Sequence, residues 1–445
     1  MKYALLYHFA SCIWITLLTL LATAESVAEE FRSAAWPSFQ NGGQMSVAGD
    51  TLPTRWSGEE NIAWKAEIPG YGQSTPIVTN GQIVVTSTSG PNKENYYLVA
   101  YSLESGEKLW QKEFTNPSPI ENTSYVSRAA PTPIADDSGY IAYYEGGLVV
   151  AVSPKGEVRW QRDLVEAYGP IASRHGLSSS LEQNKDLVFV WVERSEEPYL
   201  AALNKETGET VWKVEGLGKT SWSTPRLIPV GDTTQLVCSA SGKIAGFDPN
   251  NGNRLWQFDQ IANNTTCTPI PLGDGRFLIG ASEGRGEAAA QTDGTSNGVI
   301  QITKQDDGTF MADFAWQAAK AKSSFGSPIV ADGTAWFINR SGVLFGVNQE
   351  TGKQTTSARL AAGGVWATPL QQGNRLYIFG SKGTTSILDL PTGEIVAENS
   401  LWASPEGEEG EGSSTEILYS AVPVPPYLIL RTGGTLYAVR EKSSN

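Results

Sequence analysis

A hydroxyl-bearing or small residue followed by proline returns along this chain at a near-constant interval, and each time it opens a run of alternating apolar residues. The phrase stands as Ser74-Thr75-Pro76, Pro131-Thr132-Pro133, Ser223-Thr224-Pro225, Cys267-Thr268-Pro269, Gly326-Ser327-Pro328 and Ala367-Thr368-Pro369. Ser178-Ser179-Ser180 and Ser420-Ala421-Val422-Pro423 fill the two gaps as degenerate copies, which makes eight. From Pro76 to Pro423 there are seven intervals that average about 50 residues, in the range of propeller blades. Few folds accommodate eight such units of alternating hydrophobicity.

Within each unit the order repeats. A second apolar run ends in a turn, as in Ile83-Val84-Val85 before Ser89-Gly90 and Ala335-Trp336-Phe337-Ile338 before Ser341-Gly342, the mark of a hairpin. A third strand then runs through Asp, Asn or Ser and a glycine to tryptophan: Ser102 to Gly106 and Trp110, Asn204 to Gly208 and Trp212, Asp248 to Gly252 and Trp256. The polar residue starts the turn, glycine takes positive φ in it, and the tryptophan serves as a spacer in the core between blades. Later copies keep the turn at Thr351-Gly352 and Thr392-Gly393 but lose the tryptophan. The expected fold is therefore all-β, an eight-bladed β-propeller of four-stranded blades. The eighth unit ends on Leu436-Tyr437-Ala438-Val439-Arg440, a third strand, whereas Asn61 to Ile68 has the tryptophan pattern of a fourth strand ahead of the first phrase. An N-terminal strand that completes the last blade closes the ring and removes its sheet edges.

The predicted organisation has three parts: an export signal over residues 1–24, a lead-in over 25–60 and the propeller over 61–445. The signal is read from Lys2, the apolar stretch through Leu21 and the small residues Ala22-Thr23-Ala24. A stretch of that length is also able to span a bilayer, but His8, Ser11 and the Ala-x-Ala ending favour cleavage. Cys12 precedes the main apolar run, where a lipidation cysteine should follow it, so no stable membrane anchor is expected after cleavage and the chain is read as a monomer, periplasmic or secreted. The net charge of −14 becomes −15 once Lys2 is removed, which disfavours nucleic acid as a partner because phosphate binding needs a field of Lys and Arg. Two cysteines, Cys238 and Cys267, and one histidine, His175, remain beyond residue 24. That count leaves room for one disulfide and excludes histidine-rich metal sites and two-histidine mechanisms.

These repeats resemble the PQQ-like propeller proteins, a superfamily that holds both the quinoprotein alcohol dehydrogenases and the BamB-type outer-membrane assembly scaffolds. The Ala/Gly-x-Asp/Asn-x-x-Thr-Gly-x-x-x-Trp pattern carries the resemblance over residues 60–445, and Trp36-Pro37-Ser38-Phe39 and His175-Gly176-Leu177-Ser178-Ser179-Ser180 are similar to exported bacterial members. Fold follows from such a resemblance; activity does not, because one scaffold hosts unrelated functions. The resemblance implies a channel mouth where each phrase opens its innermost strand. There the chain offers Gln73, Ala130, Leu177, Trp222, Thr266, Phe325, Trp366 and Ser420, with no carboxylate among them. A quinone dehydrogenase needs Ca²⁺ on hard oxygen ligands and a carboxylate base, and the family's dehydrogenases place adjacent cysteines under the quinone; this chain has no Cys-Cys pair. No cofactor is therefore expected, with PQQ and Ca²⁺ kept for the alternative of a quinoprotein-type oxidoreductase.

Five residues before the proline or its equivalent stand Arg128 and His175, with Arg174 beside the latter. Basic side chains at one offset in an acidic protein are suited to an anion-accepting rim, with Trp222 and Trp366 as flat surfaces. The competing reading pairs Arg128 and Arg174 with neighbouring loop carbonyls. Two insertions, Glu283 to Gly298 and the acidic Ser404 to Glu416, are placed for a binding face, although the acidic one reads first as a mobile solvated loop, and Gln291 to Gly298 reads as a turn because it lacks the spaced acidic ligands of a calcium loop. The expectation that follows is a non-catalytic binding or scaffold module, engaging a protein, a peptide or a small anionic ligand at its mouth.

Overall fold

The computed structural model describes residues 35–49, 51–123, 126–173, 175–282, 296–402 and 416–442. They form eight antiparallel sheets in chain order, each built from one repeat, and the ring is an eight-bladed propeller. The first blade shows the pattern: Ile77–Thr79, Gln82–Ser89, Asn95–Ser102 and Lys108–Thr115 pair in that order, from the channel outward. Closure is as the sequence predicts. Ile62–Glu67 pairs antiparallel with Thr435–Val439 and supplies the fourth strand of blade 8, Trp64 opposite Ala438. Among the described residues no helix is long and apolar enough to cross a membrane. The one short α-helix there, Leu164–Tyr168, is capped by the Asp163 carboxylate, which accepts from the Val165 and Glu166 amides.

The turn and the tryptophan of the repeat prove to be one interaction that crosses from blade to blade. Trp64, Trp110, Trp160 and Trp212 each lie on the turn glycine of the following blade, Gly106, Gly156, Gly208 and Gly252. Each indole also donates to a carbonyl of that turn: Trp64 to Leu103, Trp110 to Pro154, Trp160 to Lys205 and Trp212 to Pro249. A side chain on the glycine would collide with the ring, and the positive φ, +73° at Gly208, disfavours one anyway. Where the tryptophan is missing from blade 6, nothing lies over the turn Gly393 of blade 7.

The Thr-Pro phrase is a second inter-blade device. Thr75 N–H donates to Thr132 Oγ1, Thr132 N–H to Ser180 Oγ, Ser180 N–H to Thr224 Oγ1, Thr224 N–H to Thr268 Oγ1, and Thr268 N–H to Ser327 Oγ, all at 2.9–3.0 Å. Six consecutive blades are thus belted together around the channel. The hydroxyl is required because the innermost strand has no partner on its channel side, and a buried amide left unpaired costs about 1–3 kcal/mol.

The lead-in plugs the channel, which the sequence does not foretell. Trp36 pairs with Val78 of blade 1, the Pro37 carbonyl accepts from Ala135 of blade 2, and Phe39 and Gln40 accept from the buried Arg226 of blade 4. Gln40 Nε2 then donates to Thr368 Oγ1 of blade 7 at 2.8 Å. Ser46–Val47 adds in parallel to Leu370–Gln372, so blade 7 has five strands where four were expected. Leu52 and Trp56 amides donate to the Gln372 and Asn399 side chains on the way to the closing strand.

The cysteines do not pair. Cys238 and Cys267 are both buried and free. Places on adjacent blades left a bridge possible, but the two face different layers: Cys238 packs among Phe189, Trp191 and Leu236 between blades 3 and 4, whereas Cys267 faces the Ser324 and Gly326 carbonyls of blade 6.

Candidate functional site

Between the lead-in and the mouth of the channel remains a blind pit of about 50 Å³. It is lined by Trp36, Phe39, Gln40 and Met45 of the lead-in, by Thr75, Ser327, Thr368 and Ala421 of the phrases, and by the rings of Phe325, Trp366 and Tyr419. Four of the eight positions that the repeat assigns to the mouth line it: Thr266, Phe325, Trp366 and Ser420. Most of its lining comes from blades 6 to 8, with Thr75 of blade 1 and Thr266 of blade 5 on either side. That is where the hydroxyl belt ends, since Thr368 is taken by Gln40 and blade 8 has no Ser or Thr at Val422, the belt's position in its phrase.

An arc of aromatic rings runs along this side. Phe325 and Trp366 stack with centroids 4.5 Å apart, Trp366 meets Tyr419 edge-on at 5.8 Å, and Tyr419 meets Tyr71 edge-on at 6.2 Å, their hydroxyls 2.8 Å apart. Trp366 is the outlier in exposure, 41% accessible, among the large apolar side chains at the site. Guanidinium groups close both ends. Arg128 lies 3.6 Å from the Tyr71 ring centroid and Arg340 lies 4.9 Å from that of Phe325.

The Arg128 loop is held from beneath. Buried Glu145 accepts from the Ala129 amide with both oxygens, at 3.0 and 3.1 Å, and Lys93 Nζ, buried beside it, donates to the Ser127 carbonyl. Gln73 completes the clamp, with its side chain accepting from Arg128 N–H and its own amide donating to the Arg128 carbonyl. Burial raises the Glu145 pKa and the Lys93 ammonium works against that rise. A carboxylate and an ammonium inside the ring thus spend their charges on holding backbone, and Arg128 is left to the surface.

A second cation, Arg431, is fully buried behind the arc. Its guanidinium donates to the Ser74 carbonyl and hydroxyl and to the Thr86 carbonyl, and among the described residues it forms no ion pair with a carboxylate. Desolvation pulls its pKa down, while burial and the Tyr419 hydroxyl push that of Tyr71 up. Ser420, which lines the pit, is the cross-strand neighbour of Arg431.

The residues expected at the mouth fall into two groups. Arg128 and Trp366 belong to the arc just described. His175 and Trp222 sit together elsewhere, ring centroids 5.9 Å apart, with Trp222 Nε1 donating to the Gly176 carbonyl. The groups touch through the Ser127 amide, which donates to the His175 carbonyl. Arg174 lies outside the described residues, as do residues 1–24, most of the 283–298 insertion and 404–415. Tyr419, Arg340, Arg431 and the lead-in side chains escaped the sequence reading, because they stand off the repeat's regular offset. Tyr419 had one available signal, an aromatic residue directly before Ser420.

The residues present do not fit a quinone with its calcium. The lining offers hydroxyls, one amide side chain and aromatic rings, with no carboxylate, and among the described residues no three His, Cys, Asp or Glu side chains converge as metal ligands. Glu182, the acidic residue of an innermost strand, is spent on Arg226 at 3.1 Å.

The fold and channel place the chain among the PQQ-like eight-bladed propellers. A family model described as Outer membrane protein assembly factor BamB matches residues 31–170, 171–311 and 296–444, and the chain belongs to that family. BamB of Burkholderia pseudomallei (strain K96243) is 22% identical over 299 residues, 64% of this chain and 65% of that protein. BamB of Shewanella oneidensis is 24% identical over 208 residues, 44% of this chain and 48% of that protein, so the chain spans less than two thirds of either relative. Among solved structures, BamB from Moraxella catarrhalis superposes with a TM-score of 0.56 at 14% identity, covering 86% of this chain and 98% of that one. The quinohemoprotein alcohol dehydrogenase from Comamonas testosteroni gives 0.59 at 11% identity, covering 93% and 82%. Scaffold and dehydrogenase are thus equally near in fold, and the site must decide between them.

Proposed function

We propose that this chain is an exported, non-catalytic binding module that holds a protein partner at its channel mouth, in the periplasm, as part of outer-membrane assembly. The observation that carries the reading is the mouth itself: an aromatic arc with Trp366 exposed, between two guanidinium groups, beside a pit lined in part by the chain's own lead-in. A pocket whose lining holds no carboxylate offers no such base to take a proton from an alcohol, whereas aromatic and arginine side chains are the residues that dominate protein interfaces. Family membership supports the same reading, since the matching relatives are described as assembly factors.

Site-specific photocrosslinking in the bacterial envelope tests it. A photoreactive residue at Trp366 should capture a discrete protein, and one at Leu109, on an outer strand, should not. Capture from Leu109 alone would overturn the reading. A titration with PQQ and Ca²⁺ tests the oxidoreductase alternative: a raised melting temperature, abolished in Arg128→Ala or His175→Ala, would revive it, because a ligand that binds only the native state stabilises it.

A further inference from the structure

Resting on the binding-module reading, we propose that the pit between blades 6 and 8 receives the carboxylate of an aspartate or glutamate side chain from an extended segment of the protein partner. Neighbouring apolar residues of that segment lie along Trp366 and Phe325.

The first argument is a donor surplus. Two lining side chains, Trp36 at 1% exposure and Ser420 at 5%, each carry a polar atom with no hydrogen-bond partner among the described residues, the indole Nε1 and the hydroxyl Oγ. An indole N–H can only donate. Arg128 Nε at the rim and Arg431 Nε behind Ser420 are likewise buried without acceptors. Buried polar groups are nearly always paired, and three of these four, one of them in the lining itself, can only donate, so the partner they lack is an acceptor.

The second argument is charge. The chain carries −14, yet the pit lining holds no carboxylate, and neither Arg128 nor Arg431 has an ion-pair partner among the described residues. A cationic or donor-only tip would leave the Trp36 indole and both guanidinium Nε groups unmet and could serve only the Ser420 hydroxyl, and a neutral amide brings one acceptor atom. A carboxylate brings two acceptor oxygens and an opposite charge.

Size is the third. A pit of about 50 Å³ has room for the tip of a side chain. Stacked Phe325 and Trp366, contiguous with the pit through Tyr419, give the flanking backbone and its apolar side chains a surface to lie on.

The test uses a random dodecamer peptide library displayed on phage, selected on the folded protein, followed by synthetic capped peptides of the enriched sequences. The expected result is enrichment of an acidic residue beside apolar ones, with replacement of that Glu by Gln, or Asp by Asn, weakening binding about tenfold or more. Arg128→Gln and Ser420→Ala should each weaken the acidic peptide and leave its amide counterpart nearly unchanged. Ser420→Ala also separates binding from folding: with an unmet hydroxyl removed, its melting temperature without peptide should hold or rise. Peptides that depend on Trp366 but carry no acidic residue, or whose acid-to-amide change has no effect, would overturn the carboxylate assignment and leave the binding-module reading intact. Failure to enrich any peptide, or enriched peptides indifferent to Trp366→Ala, overturns it as well; only capture of partners solely at the outer strands removes both.

Discussion

If the tryptophan of one blade covers the turn glycine of the next, then the same Gly→Ala substitution must cost different amounts at two turns of the same conformation. Gly208 and Gly393 have φ of +73° and +72° and occupy equivalent Thr-Gly turns. A Cβ on Gly208 would stand 2.6 Å from Trp160 Cε3, whereas one on Gly393 meets nothing within 4 Å. Alanine in a left-handed conformation costs about 1–2 kcal/mol, so Gly393→Ala should lose that and no more. Gly208→Ala adds overpacking against the indole, typically about 1–3 kcal/mol, for a total of about 2–5 kcal/mol. Trp160, 8% exposed, donates to the Lys205 carbonyl, and Trp160→Ala should itself cost about 3–5 kcal/mol. With the indole gone, the collision is gone, and the double variant Trp160→Ala/Gly208→Ala should be less destabilised than the two single losses together by about 1–3 kcal/mol. Urea unfolding followed by tryptophan fluorescence and circular dichroism measures all four proteins. Equal losses at Gly208 and Gly393, or additivity of the Trp160 and Gly208 changes to within about 0.5 kcal/mol, would refute the inter-blade role and reduce the glycine to its backbone.

Three further outcomes are expected. Thr224→Val keeps the shape of the side chain but leaves the Ser180 amide without its acceptor, and should cost about 1–3 kcal/mol in urea, while the same change at Thr368 should cost less because it frees a Gln40 side chain rather than a backbone amide. Lys93→Met removes the cation that holds the Glu145 pKa down, so the folded carboxyl rises further above its unfolded value near 4.5. A raised folded pKa gives stability that is present below the unfolded value and lost as pH rises through the folded one, so the loss of about 3–5 kcal/mol near pH 7 should shrink toward pH 5. Cys238 and Cys267, whose thiol pKa values burial pushes up, should be silent to a thiol reagent in the native protein and titrate as two free thiols after denaturation; a mass lower by two hydrogens would show a disulfide instead.

The ring was legible in the sequence because its blades obey one local rule eight times. Alternation, the Thr-Pro phrase and the Thr-Gly turn each report short-range geometry, and a closing strand at Asn61 to Ile68 follows from counting strands. The reason for the threonine was not legible, since its hydroxyl acts on the preceding blade, 44 to 59 residues away, and no local pattern shows that partner. Likewise the tryptophan was assigned to the space between blades, but its specific seat on the next turn glycine is a long-range contact. The plug was invisible for a related cause: residues 35–56 have no repeat of their own and take their conformation from the channel edges of blades 1, 2, 4 and 7. Of the expected site residues, Arg128 and Trp366 lie on one arc, whereas His175 and Trp222 sit together apart from it, and the belt sets Ser180 at the threonine position, one residue off the register from which His175 was counted.

The location of the pit follows from the decay of the repeat. In blades 1 to 5 the amide of the phrase is met by the hydroxyl of the next blade. Blade 8 replaces the phrase by Ser420-Ala421-Val422-Pro423, and the belt has nothing to bond there. A ring built only for stability would restore the threonine or fill the gap with apolar volume, because an unmet buried hydroxyl costs more than its removal. This chain instead keeps Ser420 beside a buried guanidinium and sets Trp36 with its own unmet N–H in the same lining. Departures from internal consistency that go uncompensated are expected where a fold is bound to something else. The break in the belt and the binding site are therefore the same place for one physical reason: a channel whose donors are all met has nothing to offer a partner.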